Sequence, residues 1–186
     1  MVELWQLYDE QGCAIKGKGA PKDEVFSEGL LHGAAHVWIW DETESGSQVL
    51  LQKRAAHTRK WPDRYDISAA GHINLDERPV ITALREAREE IGIHVLSVDL
   101  KLISLQRVNV IADNGVIENE FQWVYLLRLP ASTSFSLQED EVGALKWKTL
   151  GAFKNEIFRA NNEYVPHSRL YFDTVISAIE VEQSST

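Results

Sequence analysis

Glu86, Glu89 and Glu90 stand at i, i+3 and i+4, so on a helix all three carboxylates leave one face. Such a run is ordinarily a solvated face, but a bound cation would relieve the like-charge repulsion, and hard oxygen ligands select Mg²⁺ or Mn²⁺. Upstream, Gly71 would let the backbone pass close to that cation and leave the Ala70 carbonyl as a further ligand. A second group is cationic. Lys53, Arg54, Arg59 and Lys60 form the one dense basic run of the chain, and an anion such as a diphosphate would fit between them. Glu118 and Glu120 are two residues apart in a strand-like run, which puts both side chains on one face, where they could approach the cation. His72, beside Gly71, is placed to contact the metal or the diphosphate.

These groups need elements to hold them. From Pro79 to Ile91 the apolar positions Val80, Ile81, Ala83, Leu84, Ala87 and Ile91 recur at helical spacing, with Pro79 suited to the start and Gly92 to the end. Two strands are expected at Ala34 to Trp40 and Gln48 to Arg54, joined by a turn. Ala55 to Arg64 reads as a loop, and Gln11 to Gly29 as a polar, Gly-rich stretch. Residues 94–111 and 116–129 are strand-rich runs separated by ADNG, whose Asn114-Gly115 pair signals a hairpin. Ala144 to Leu150 looks like a short strand. Leu170, Val175, Ile179 and Val181 are spaced about a C-terminal helix. Mixed strands and helices argue an α/β (α+β) layered domain.

Composition narrows the function classes. The 186 residues carry a net charge of −9, which opposes binding to nucleic-acid polymers or anionic lipid. No apolar run approaches the roughly 20 residues of a membrane span. Cys13 is the only cysteine, so neither a disulfide framework nor a cysteine-based zinc site is expected. The acidic N-terminus lacks a secretory pattern, and a cytoplasmic protein is the expectation.

The chemistry-bearing residues also spell a motif. Gly71, Glu77, Arg85-Glu86, Ala87, Glu89-Glu90, Gly92 and Ile93 resemble the Nudix box, GX5EX7REUXEEXGU, with Ala87 the one soft match at an aliphatic position. The resemblance implies a Nudix fold, a mixed β-sheet sandwiched between helices, over residues 31–186, preceded by an N-terminal segment over 1–30. It implies Glu86 and Glu90 as the main metal ligands and Glu89 as a further ligand or the base. It also implies an Arg85 to Glu77 pair that holds helix and loop, and hydrolysis of a small-molecule diphosphate by metal-activated water. Family members are often dimers, so a homodimer is left open.

Beyond the box, HGAAHVWIW, LLQKRAAHTRKWP, DISAAGH and NGVIENEF resemble the branch that contains isopentenyl-diphosphate isomerases and their hydrolase-like relatives. The isomerases place a catalytic cysteine just before the Gly-His pair, use histidines near the first core strand for metal, and bind metal with an ENE-type run. Here the cysteine position is Ala70. Alanine supplies neither acid nor base for alkene isomerisation, so the expectation is a hydrolase. An isomerase-like enzyme and a catalytically silent nucleotide sensor are the alternatives. His36 alternates with Val37 and Ile39 and reads as a hydrogen-bonded face residue; His32 stays open. The six Trp read as packing, with Trp61 and Trp123 the two that could face a ligand.

Overall fold

The computed structural model describes residues 2–58, 60–111, 117–159 and 163–184. Among them the chain forms nine strands and four α-helices. In order these are β1 (Leu4–Tyr8), β2 (Ala14–Pro21), α1 (Lys22–Glu28), β3 (His32–Thr43), β4 (Gly46–Arg54), β5 (Tyr65–Asp66) and β6 (Ala69–His72). Then come α2 (Pro79–Ile91), β7 (Lys101–Ile111), β8 (Ile117–Arg128), β9 (Val142–Thr149), α3 (Leu150–Glu156) and α4 (Arg169–Gln183). Arg59 and the Asn114-Gly115 turn lie outside the described residues.

The sheet is mixed and built around β3. Along one edge β3 runs parallel to β8 from His32 to Trp40. The opposite edge is shared: β6 pairs with Ala34 to Val37 and β4 with Ile39 to Thr43, both antiparallel. Two strands that share one edge must diverge beyond it, and a crevice opens where they part. Strand β9 extends the β4 side, and β7 closes the β8 side.

Alternation along β3 sends its residues into two apolar layers. Ala35, Val37 and Ile39 pack against Ala83, Ala87 and Ile91 of α2, while Trp38 and Trp40 pack against Phe153 of α3 and Tyr171, Phe172, Val175, Ile176 and Ile179 of α4. The sheet is thus covered by helix on both faces, as expected. Ala87, the soft match in the motif, is fully buried beside Ala83, so a small side chain suits a helix lying close on the sheet. Pro79 opens α2, and Gly92 closes it in the left-handed conformation (φ 73°).

Three details differ from the sequence reading. The stretch from Gln11 to Gly29 holds β2 and α1, which the pairing of β2 with β1 organises. Leu150 begins α3 after β9 has ended at Thr149, whose hydroxyl caps the helix. On α4 the buried stripe is Tyr171, Phe172, Val175, Ile176 and Ile179, whereas Leu170 and Val181 are exposed. A residue two positions past Ile179 is turned to the opposite side of the helix.

Candidate active site

Gly71 carries β6 against α2. A Cβ built on it would stand 1.9 Å from Glu86 Oε1, so only glycine lets the helix carboxylate rest on the strand. Ala70 lies opposite His36 in the β3–β6 ladder. Because Ile73 N–H bonds the Gly33 carbonyl at 2.9 Å, the antiparallel alternation turns the Ala70 N–H and C=O away from β3. The N–H donates to Glu90 Oε2 at 2.9 Å, and the carbonyl points to the same side.

Glu86 and Glu90 are buried, and Glu89 is largely exposed. Burial pushes the Glu86 carboxyl up to about 7, and burial with the neighbouring Glu86 pushes Glu90 up to about 8. Glu141 adds to both shifts. Two buried acids without enough counter-charge hold protons that a divalent cation would displace.

Arg85 ties the box together. Its Nε and Nη2 donate to Glu77 at 3.3 and 3.1 Å, Nη2 to the His72 carbonyl at 3.1 Å, and Nη1 to Glu86 Oε1 at 2.6 Å and Glu89 Oε2 at 3.3 Å. Glu77 also accepts from Thr82 Oγ1 at 2.7 Å. Burial opposes ionisation of Glu77, but the Arg85 and Thr82 hydrogen bonds hold its carboxyl below the usual range.

The crevice between β4 and β6 is a cavity of about 370 Å³ lined by Lys22, Phe26, Gln52, Arg54, His57, Thr58, Lys60, His72, Glu90, Asp140 and Glu141. Arg54, Lys60 and His72 therefore lie around one cavity with the box carboxylate Glu90. Arg54 Nε donates to the Lys60 carbonyl at 2.9 Å, so its guanidinium also braces the basic loop. Lys53 does not join them. Adjacent residues of a strand point to opposite faces, and its ammonium pairs with Asp63 at 3.0 Å. Glu118 reaches the rim by binding the Lys60 ammonium, which also lies 4.0 Å from the Phe26 ring centroid.

Glu120 joins a different group. His32, His72 and Glu120 bring one ligand atom each within 4.8 Å of one another. His32 Nδ1 meets the Leu30 carbonyl at 2.9 Å, which fixes the proton there. Its Nε2 is 3.2 Å from Glu120 Oε2 yet buried without a well-formed hydrogen bond. An imidazole lone pair facing a carboxylate fits a bound cation. His36 stays outside this group, its Nδ1 bonded to the Tyr171 hydroxyl at 2.9 Å. Trp61 and Trp123 do not line the crevice.

Sequence reasoning missed Lys22, Phe26, Gln52, His57, Thr58, Asp140 and Glu141. The acidic run Glu139-Asp140-Glu141 was a signal for the last two. Nothing local marks the others, because the shared edge of β3 brings them together.

The model of the NUDIX domain matches residues 30–168. The chain belongs to the Nudix family. It is an enzyme of the Nudix hydrolase type, in the branch that includes isopentenyl-diphosphate isomerases. It is 35% identical over 156 residues to Nudix hydrolase 3 of Arabidopsis thaliana, covering 81% of this chain and 20% of that protein. The chain thus spans about a fifth of that relative's length. It is 31% identical over 148 residues to the isopentenyl-diphosphate Delta-isomerase of Aliivibrio fischeri, covering 79% of this chain and 80% of the isomerase. The crystal structure of DR0079 from Deinococcus radiodurans shares this chain's fold with a TM-score of 0.68 at 16% identity, covering 88% of this chain and 93% of that one.

Proposed function

We propose that this Nudix enzyme hydrolyses the diphosphate linkage of a small molecule in a reaction that depends on Mg²⁺ or Mn²⁺. The observation that carries this reading is the meeting of Glu90, backed by Glu86, with Arg54 and Lys60 around one cavity. Carboxylates for a cation and cations for an anion face each other there. Glu86, Glu90 and the Ala70 carbonyl would hold the cation. When bound, it would screen the phosphate charges and ease the loss of a proton from water.

The chain's own groups supply the rest. Arg54 and Lys60 bind and orient the diphosphate and stabilise the charge that grows on the leaving phosphate. Glu89, the exposed member of the carboxylate set, takes the proton of the attacking water. Arg85 holds Glu86 and Glu89 through its Nη1 and fixes the box loop through Glu77. His32, His72 and Glu120 form a second cluster suited to a cation that prefers imidazole. Ala70 offers only a methyl group where an isomerase needs an acid, which favours hydrolysis. The exposed, unpaired Cys13 suits a reducing, cytoplasmic setting.

A panel of nucleoside, sugar and isoprenoid diphosphates assayed with Mg²⁺, Mn²⁺ or chelator tests the reading. Turnover of at least one compound is expected with cation and none with chelator. Cation-independent turnover, or none with any compound, would overturn it.

A further inference from the structure

The two histidines of the second cluster are held differently. His32 is pinned through Nδ1 by the Leu30 carbonyl. Among the described residues the His72 ring has no hydrogen bond, and its Nε2 comes only to 3.8 Å from Glu120 Oε2. What lies against it is Trp5. The indole covers the imidazole with centroids 3.5 Å apart and planes 7° from parallel. Phe26 sets its ring edge-on to both, 5.4 Å from Trp5 and 6.0 Å from His72.

The backbone fixes that stack. Gln6 N–H donates to the Ile73 carbonyl and Leu75 N–H to the Leu4 carbonyl, each at 2.8 Å, so the residues flanking Trp5 grip the chain just after His72. Gln6 is a buried hub. Its amide nitrogen donates to the carbonyls of Ile15 and Lys18 on β2, and its Oε1 accepts from Asp76 N–H in the box loop. The N-terminal hairpin is therefore bonded to the box loop on both sides of the stack, although residues 1–29 precede the region that the family model matches.

We propose that Trp5 is a positioning residue for His72, and that through it the N-terminal hairpin sets the affinity of the His32–His72–Glu120 cluster for a divalent transition-metal cation. This rests on the reading of that cluster as a cation site. An imidazole ligand needs its ring plane fixed so that the lone pair aims at the metal, and outer partners that do this are worth about 10 to 100-fold in affinity. For His72 the partner is a stacked ring rather than a hydrogen bond. Without the indole that face of the ring loses its support, and Phe26 alone meets it edge-on.

Co²⁺ is the probe, titrated into the metal-free full chain with excess Mg²⁺ present to occupy the helix carboxylates, and followed by its visible absorption. Wild type is expected to bind, His32→Asn to lose binding, and Trp5→Leu to bind about 10 to 100-fold more weakly. Trp5→Phe, which keeps an aromatic face, is expected in between and carries the test if Trp5→Leu does not fold. Val25→Ala is the packing control, since Val25 is buried in the same apolar cluster as Trp5 and Phe26 but is no part of the stack; it should bind as wild type does. In metal-free wild type the His72 ring protons should resonate upfield under the indole, and lose that shift in Trp5→Leu.

Wild-type affinity in a folded Trp5→Leu protein would refute the role of Trp5 while leaving the cluster standing. Equal weakening in Val25→Ala would reduce that role to packing and refute it as well. Unchanged binding in His32→Asn, or no binding by wild type, would remove the cluster as a cation site and the proposal with it.

Discussion

Replacing Glu90 by glutamine should stabilise the metal-free protein, by an amount that grows with pH. Glu90 is 5% exposed and accepts a hydrogen bond from Ala70 N–H. Burial, with Glu86 close by, pushes its carboxyl from 4.5 up to about 8. Between those values the folded chain holds a proton that the unfolded chain has released. Stability is therefore complete below pH 4.5 and falls as pH rises towards 8. At about 1.4 kcal/mol for each pH step through that window, the cost is about 1 kcal/mol at pH 5 and at most about 3 kcal/mol at pH 7. Glutamine does not ionise, keeps an oxygen for the Ala70 N–H, and turns its amide towards the carboxylates. For a chain of this size 1 kcal/mol moves the melting temperature by about 2–4 °C. Calorimetry in chelator should thus show Glu90→Gln melting roughly 5–10 °C above wild type at pH 7 and within a few degrees at pH 5. Added Mg²⁺ should raise the wild type more than the variant, because a ligand of the folded state stabilises by mass action. Equal melting at every pH, or a variant less stable at pH 8, would refute the reasoning.

Other outcomes follow from single contacts. Gly71→Ala must displace Glu86, given the 1.9 Å approach, so turnover should drop by about 10-fold or more with the secondary structure kept; circular dichroism and an activity assay check both. Arg85→Lys cannot reproduce the fork that bonds Glu77, the His72 carbonyl, Glu86 and Glu89, and denaturant unfolding should show a loss of about 1–3 kcal/mol. Wild type incubated with isopentenyl diphosphate in D₂O should show no deuterium at the allylic carbon by NMR, and clear incorporation would mean that a group other than a residue-70 thiol supplies the proton.

The carrier of the box was legible because it is local. Pro79–Ile91 follows from helical spacing and two end signals, and Glu86, Glu89 and Glu90 fall on one face for the same reason. Elements that exist through pairing were harder. β2 carries two glycines and buries only one of its eight residues, and becomes a strand by joining β1. α1 buries only Val25 and Phe26, too little to leave a period. Lys53 beside Arg54 shows what the sequence did contain, since neighbours on a strand cannot both face one crevice. The His32–His72–Glu120 cluster needed the register that sets His32 beside Glu120, and no spacing along the chain encodes a parallel neighbour 88 positions away.

The central claim is cation-dependent attack of water on a diphosphate. Its most direct test is to hydrolyse the best compound from the substrate panel in oxygen-18 water and read the products by mass spectrometry, with wild type and with Glu89→Gln. One heavy oxygen should enter a phosphate product, only with Mg²⁺ or Mn²⁺, and at a rate about 100-fold lower in the variant. Label in the organic product, label without a cation, or equal rates in the two proteins would contradict the account.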